Sequence, residues 1–97
     1  MAAIGIVEVI GVVSGIQSLD AMSKTSNIKI KTLEKKLGGR LVTIIIEGTI
    51  DDVISAVDVG TLVANNITKC VAHAVIYKPH EEVVNLIEKS SKKYENL

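Results

Sequence analysis

Aromatic residues are almost absent from this 97-residue sequence, which contains two tyrosines and neither tryptophan nor phenylalanine. Proteins that bind single-stranded nucleic acid usually stack bases on aromatic rings, and this chain offers no such platform. Its 11 lysine and arginine residues are balanced by 11 aspartate and glutamate residues. Because nucleic-acid binding also needs a concentrated excess of positive charge, the composition argues against a nucleic-acid partner.

Cysteine is equally scarce, since Cys70 is the only one. No disulfide can form within the chain, and a reducing compartment, the cytoplasm, is expected. Cys70 and His73 alone are too few to hold zinc, so we expect neither a metal nor a cofactor. No apolar run approaches the roughly 18–20 residues that cross a membrane. The apolar N-terminal segment lacks the basic start of a signal peptide, and no membrane partner is expected.

Apolar residues, in contrast, make up 47% of the chain. A domain of this size buries only about 60–65% of the surface that its unfolded chain exposes. Part of the apolar material therefore stays on the outside, where it usually marks a contact with another molecule. We expect the protein to be an oligomer.

The apolar pattern predicts four strands and three helices within one domain spanning residues 1–90. The strands are expected at residues 3–10, 28–34, 41–47 and 69–77, and the helices at residues 12–27, 50–65 and 80–89. Thr49 and Asp52 have the spacing of a capping box at the start of the second helix. Residues 91–97 are expected to form a short, loose, polar C-terminal tail.

Two elements carry specific expectations about which side chains are buried. In the first helix, apolar residues recur at helical spacing and are expected to face the core; they are Val12, Ile16, Leu19 and Met22. The opposite face of that helix, which includes Ser18, is expected to be polar. In the second strand, Lys29 and Lys31 are expected to point into solvent, as lysines do at the edge of a sheet.

The predicted order is β-α-β-β-α-β followed by a C-terminal helix. This order indicates an α+β fold, the ferredoxin-like split β-α-β sandwich, with a four-stranded antiparallel sheet and both main helices on one face. The fold hosts many unrelated functions, so it does not by itself name one.

Five short motifs, in the same order and at similar spacing, resemble those of the bacterial microcompartment shell proteins that form hexamers from a single domain. The motifs are residues 4–8 (IGIVE), 20–27 (DAMSKTSN), 41–43 (LVT) with 47–48 (EG), 57–60 (VDVG) and 78–81 (KPHE). The family includes shell proteins of propanediol-utilisation, ethanolamine-utilisation and carboxysome compartments. The resemblance extends over nearly the whole chain.

The resemblance implies a structural protein and not an enzyme. It implies a flat homohexamer that tiles, with other shell proteins of the same compartment, into a wall within the bacterial cytoplasm. Encapsulated enzymes are a further expected partner, since such cargo often docks through short amphipathic helices. The C-terminal helix or its tail is the expected contact for them.

The resemblance also assigns residues to the edge of the hexamer, where neighbouring hexamers meet. They are Lys24, Asn27, Lys78, Pro79 and His80. A lysine stem can lie along a neighbour's surface while its ammonium group reaches backbone carbonyls. The family usually has arginine where this chain has Lys78, and lysine keeps the charge but lacks the planar guanidinium fork. Without the resemblance, Lys24 is interpreted as part of a solvated helix face.

The resemblance further implies that the loop between the second and third strands lines a pore on the six-fold axis of the hexamer. Its residues are Lys36, Leu37, Gly38, Gly39 and Arg40. Glycines suit a place where six backbones approach closely, and their exposed N–H groups favour polar or anionic metabolites. The loop is one residue longer than the family's. The alternative is that the two glycines form an ordinary hairpin turn.

A second function remains open on the same fold, that of a ligand-binding regulatory oligomer with a pocket between subunits. The long flexible effector loop of such proteins is missing here. An acylphosphatase-like hydrolase is excluded, because that chemistry needs an arginine to hold the phosphate. The only arginine, Arg40, lies in the wrong loop.

Overall fold

The computed structural model describes residues 2–95 of the chain. The elements are β1 (Ala3–Ile10), α1 (Val12–Thr25), β2 (Lys29–Lys36), β3 (Leu41–Gly48), α2 (Ile50–Ile67), β4 (Cys70–Ile76) and α3 (Glu81–Glu95). The four strands form one antiparallel sheet in the order β2-β3-β1-β4. The α+β fold predicted from the sequence is confirmed.

The two main helices cover one face of the sheet, and α3 lies against the other. Val53 and Val57 of α2 contact β1 at Gly5, on the same face as Ile46. Thr32 of β2 pairs with Ile45, the neighbour of Ile46 in β3, so it points to the opposite face. It is on this opposite face that Ser90 of α3 contacts Thr32.

The hydrophobic core lies between the sheet and the α1–α2 pair. It consists of Ala3, Val7, Val9, Met22, Val42, Ile44, Ile46, Val53, Ala56, Val57 and Ala64. The helix α2 begins at the predicted cap, where the backbone N–H of Asp52 donates to the Thr49 hydroxyl at 3.2 Å. The Thr49 hydroxyl in turn donates to the Asp52 carboxylate at 2.9 Å, so the start of α2 is fixed from both sides.

The buried face of α1 differs from the prediction. Val12 and Ile16 are 39% and 52% exposed, while Ser14, Gly15 and Ser18 are buried. The reason is the closeness of the helix to the sheet, since a Cβ atom at Gly15 would lie 2.8 Å from a methyl group of Val42. Only small side chains fit in that gap, so the larger apolar ones turn outward. The prediction holds for Met22, which is fully buried, and Leu19 packs against the core.

The small residues of α1 lead to a prediction about stability. The hydroxyl groups of Ser14 and Ser18 are buried and, within the described part of the chain, have no hydrogen-bond partner. A buried hydroxyl without a partner costs about 1–3 kcal/mol. We expect Ser18→Ala to raise the free energy of unfolding by about 1 kcal/mol, measured by urea denaturation at fixed protein concentration.

The matched control is Ser55→Ala, at an exposed position of α2. That substitution changes helix propensity alone, which is worth roughly 0.5 kcal/mol. If Ser18→Ala stabilised the protein no more than Ser55→Ala, the unpartnered hydroxyl would not be costly.

The strand β2 lies at the edge of the sheet, as its lysines indicated. Lys29 and Lys31 nevertheless have different surroundings. Lys29 is exposed, whereas Lys31 is only 4% exposed, so the prediction for Lys31 is wrong. The register shifts between Ile30 and Thr32, which breaks the regular alternation of side chains. Lys31 instead lies beside two carboxylates, 3.6 Å from Glu47 and 3.0 Å from Glu88.

The last helix is longer than predicted, since α3 continues to Glu95 through most of the segment expected to be a loose tail. Ile87 and Ser91 are 6% and 3% exposed, so the helix still packs on the sheet beyond the predicted end. Ser90 contacts Thr32 and Glu34 of β2, which holds the helix to the sheet just beyond its predicted end at residue 89. Residues 96 and 97 of the predicted tail lie outside the described part.

Candidate functional site: the double-glycine loop and the two ends of the sheet

The loop between β2 and β3 has an unusual backbone. Leu37, Gly38 and Gly39 have φ angles of 54°, 67° and 91°, so three consecutive residues lie in the left-handed region. The N–H of Arg40 donates to the carbonyl of Leu37 at 3.3 Å and closes the turn. Lys36 pairs with Leu41 across the base of the loop. The loop therefore has four residues, 37–40, and is not a two-residue glycine hairpin.

Leu37 is the strained member of this loop. Among residues 2–95 it is the only residue other than glycine with a positive φ. A left-handed conformation costs an L-residue about 1–2 kcal/mol, and such strain persists mainly at functional sites. The side chain of Leu37 is also 74% exposed. Packing within the subunit therefore does not explain why a leucine is held in this conformation.

The surface around the loop is apolar, and we call it the loop-side patch. It consists of Ile10, Val12, Val13, Ile16 and Leu37, which are 43%, 39%, 66%, 52% and 74% exposed. The carbonyl of Arg40 accepts a hydrogen bond from the N–H of Gly11 at 2.9 Å, which joins the loop to the start of α1. A Cβ atom at Gly39 would lie 3.0 Å from Val12. Several exposed apolar side chains near one loop are typical of an interaction site.

Sequence reasoning missed most of this patch, because it placed Val12 and Ile16 in the core. The signal that could have revealed it is the set of small residues at 14, 15 and 18, which share one helix face. A face of small residues permits close packing, and it leaves the bulkier face of the same helix toward the outside.

The polar groups of the loop are cationic. Lys36 and Arg40 are exposed at its two ends, and neither forms an ion pair within the described part of the chain. Gly38 is surrounded by open space, since a Cβ atom on it would have no neighbouring atom within 4 Å. The tip of the loop thus places two glycines between two positive side chains, whose charge attracts anions.

The residues predicted at the hexamer edge lie at the other end of the sheet. The loop follows the end of β2 next to Leu41, which pairs with Ile10, whereas Gly48 pairs with Ala3 at the start of β1. The backbone oxygen of Asn27 lies beside Gly48. Residues 78–80 follow β4 at this same end, since Ile76 pairs with Ile4. Eight-residue strands separate the two predicted sets by about 25 Å.

Within the edge set, Lys24 and Asn27 are exposed at the end of α1, and Lys24 forms an ion pair with Asp20 at 2.7 Å. Lys78 and His80 are also exposed, and Pro79 is half-buried. The ring nitrogen Nδ1 of His80 accepts a hydrogen bond from the N–H of Glu82 at 3.1 Å. His80 therefore caps the start of α3.

The remaining candidates for chemistry are dispersed. His73 is exposed on β4, and the N–H of half-buried Cys70 donates to the side chain of Asn65 at 2.8 Å. Over residues 2–95 no three His, Cys, Asp or Glu side chains are grouped as metal ligands would be. Nor is any helix of this part both long and apolar enough to cross a bilayer.

Comparison with known proteins agrees with the motifs. The family model described as BMC domain matches residues 3–79. The chain is 37% identical over 87 residues to the bacterial microcompartment shell protein PduA of Citrobacter freundii, covering 90% of this chain and 92% of the relative. It is 32% identical over 97 residues to the shell protein EutM of Salmonella typhimurium, covering 100% of both chains.

A solved structure gives the same answer for the fold. The crystal structure of a microcompartment protein from Desulfitobacterium hafniense superimposes with a TM-score of 0.79 and 26% sequence identity, over 93% of this chain. The present chain spans about half of that protein, 48% of its length. The chain therefore belongs to the BMC domain family, the family recognised from its five motifs.

Proposed function

We propose that this protein is a structural shell protein of a bacterial microcompartment, and that six copies close into a ring around the double-glycine loop. The structural shell role is supported by the family and by relatives named as shell proteins. Those names also favour a location in the compartment shell, within the cytoplasm, and a role other than catalysis.

The main observation in favour of the ring is the loop-side patch. Its five apolar side chains are exposed in the single subunit and adjoin a loop held in a strained conformation. Burying roughly half of each side chain against a neighbour contributes on the order of 5 kcal/mol per subunit. A neighbouring copy that covers α1 and the loop removes this exposed surface and brings the loops of all copies toward one axis.

A pore formed by these loops favours small polar or anionic metabolites. Gly38, with open space around it, lies nearest the axis, where a side chain on each of six loops would crowd. Six equivalent cations about 7 Å apart repel by about 0.6–2 kcal/mol per pair. Lys36 and Arg40 therefore turn toward the pore mouths, where they attract anions before these reach the glycines.

The opposite end of the sheet forms the rim of the proposed ring, where Lys24, Asn27 and residues 78–80 meet adjacent hexamers. The partners at this rim are further copies and other shell proteins of the same compartment. Encapsulated enzymes are proposed to dock on α3 through short amphipathic helices, since Leu86 offers an exposed apolar side chain there.

Native mass spectrometry and electron microscopy of the purified protein test this proposal together. We expect a mass six times that of the subunit, and extended sheets or tubes at high concentration. Lys24→Glu is expected to keep the hexamer mass while abolishing the sheets, because a carboxylate cannot donate to the backbone carbonyls that the lysine ammonium reaches in the neighbouring hexamer.

Lys89→Glu, an equal charge change at an exposed position of α3, is the matched control and is expected to leave the sheets intact. A protein that stays monomeric or trimeric at high concentration contradicts the ring. Sheets that persist in Lys24→Glu contradict the assignment of the rim.

A further inference from the structure

The helix α3 is attached to the sheet mainly through polar groups. Lys31 of β2 contacts the carboxylate of Glu88 at 3.0 Å. The hydroxyl of Ser90 donates to the carboxylate of Glu34 at 2.5 Å and lies 3.2 Å from the hydroxyl of Thr32. We call these contacts, together with Glu47 of β3, the polar seam. Its members are Lys31, Thr32, Glu34, Glu47, Glu88 and Ser90.

Apolar burial contributes less to the attachment of α3 than to that of α2, although Val84 is half-buried and Ile4, on the α3 side of the sheet, is fully buried. Within the described part of α3, Ile87 is the only apolar side chain that is buried, at 6% exposure. Val83 and Leu86 are 37% and 66% exposed. The helix α2, by comparison, buries a continuous face that includes Val53, Val57 and Ala64. Since apolar burial is the main driving force for packing, α3 is held much less firmly than α2.

The centre of the seam is a lysine that contacts two carboxylates at the same time. The side chain of Lys31 is 5% exposed, and Glu47 and Glu88 are 21% and 46% exposed. Burial alone lowers the pKa of Lys31, but the hydrogen bond to Glu88 and the charge of Glu47 outweigh it and raise the pKa above its ordinary value. The hydrogen bond from Lys31 likewise lowers the pKa of Glu88, so the lysine and this carboxylate are both charged at neutral pH.

Removing one partner of a buried ion pair normally leaves an uncompensated charge, which is strongly unfavourable. Here that penalty does not arise when α3 leaves the sheet. Lys31 keeps Glu47, which belongs to the adjacent strand β3, and Glu88 becomes hydrated as the helix moves away. The second carboxylate, Glu47, therefore lowers the free-energy cost of separating α3 from the sheet.

We propose that α3 is a detachable arm, which lifts from the sheet as a unit while the four strands, α1 and α2 stay folded. As the arm lifts, Lys31 loses its contact with Glu88 and keeps its contact with Glu47. The movement uncovers the outer face of β2 and frees the side of α3 that carries Ile87. The inference rests on the seam within one subunit and is independent of the number of subunits in the assembly.

Hydrogen–deuterium exchange of the full chain, followed by mass spectrometry, tests the arm. We expect the amides of α3 to exchange at least about tenfold faster than those of α2, because local opening needs less free energy than global unfolding. Glu88→Gln is expected to speed exchange in α3 by about a further tenfold, the effect of losing one charged hydrogen bond. Exchange in α2 is expected to stay unchanged.

Two further variants separate the arm from a general weakening of the helix. Glu82→Gln makes the same change at an exposed position of α3 and is expected to have a smaller effect. Glu47→Gln removes the charge that Lys31 retains beside it when α3 leaves, so it is expected to slow the exchange of α3 relative to that of α2. The proposal is overturned if α3 exchanges no faster than α2, if Glu82→Gln matches Glu88→Gln, or if Glu47→Gln speeds α3.

Discussion

Replacing Gly5 by alanine is expected to lower the free energy of unfolding by about 3 kcal/mol, at the upper end of the usual cost of overpacking. A Cβ atom at this position would lie 2.6 Å from one methyl group of Val57 and 2.9 Å from one of Val53. Both valines are buried and β-branched, so neither side chain can rotate away. The helix α2 must move off the sheet, which loosens the core along its length.

Urea denaturation measures this loss, and Gly48→Ala is the control. A Cβ atom at Gly48 would have its nearest neighbour at 3.3 Å, and the expected change is below about 1 kcal/mol. If Gly5→Ala does not fold, the double variant Gly5→Ala/Val57→Ala restores space and is expected to fold. A loss for Gly5→Ala no larger than that for Gly48→Ala would show that α2 adjusts freely.

Substituting Ile16 by aspartate is expected to weaken the assembly at least about 100-fold, since a carboxylate buried without a partner costs several kcal/mol. Ile16 is 52% exposed in the subunit and lies in the loop-side patch, so the substitution leaves the core untouched. The ring repeats the penalty at every interface. Analytical ultracentrifugation at micromolar concentration is expected to show a folded monomer in place of the hexamer.

The control for Ile16→Asp is Leu86→Asp, at a leucine of α3 that is 66% exposed and lies on the other face of the sheet. That variant is expected to keep the assembly of the unchanged protein. Circular dichroism checks that both variants retain their secondary structure. An assembly that survives in Ile16→Asp would place the subunit interface elsewhere than the loop-side patch.

The arrangement of strands and helices follows from the sequence because apolar periodicity is strong in β1, β3 and α2. Those elements are buried on a full face, so their residue pattern reports directly on the core. The cap at Thr49 is equally local, since it depends on two side chains three residues apart. The buried face of α1 was predicted wrongly because it is not determined by a local pattern. Its packing depends on the distance to Val42, which no pattern within the helix reveals.

The polar seam could not be predicted either, because it also depends on contacts between distant parts of the sequence. Side chains alternate between the two faces of a regular strand, and this alternation predicted that Lys31 points into solvent. The register shift after Ile30 interrupts this alternation. The two carboxylates near Lys31 belong to β3 and α3, which are distant from β2 in the sequence. The length of α3 depends on the same long-range contacts, because Ser90, just beyond the predicted end of the helix, contacts Thr32 and Glu34 of β2.

The candidate site was predicted in part. The loop predicted around Gly38 and Gly39 is present and both glycines have a left-handed backbone, whereas nothing in the residue type of Leu37 predicts the same conformation there. The roles of the pore and rim residues remain predictions. What the fold adds to them is their separation, with one set at each end of the sheet.

Because the pore and rim residues lie at opposite ends of the sheet, the length of the strands determines the distance between them. In the proposed ring, β1 and β3 run between axis and perimeter, so their eight residues set the radius of the tile. Removing two residues from each would shorten that radius by about 7 Å while keeping every side chain on its proper face. A tile of altered radius no longer matches its neighbours in a shared lattice. The proposed assembly therefore requires a common strand length of all shell proteins that share one wall.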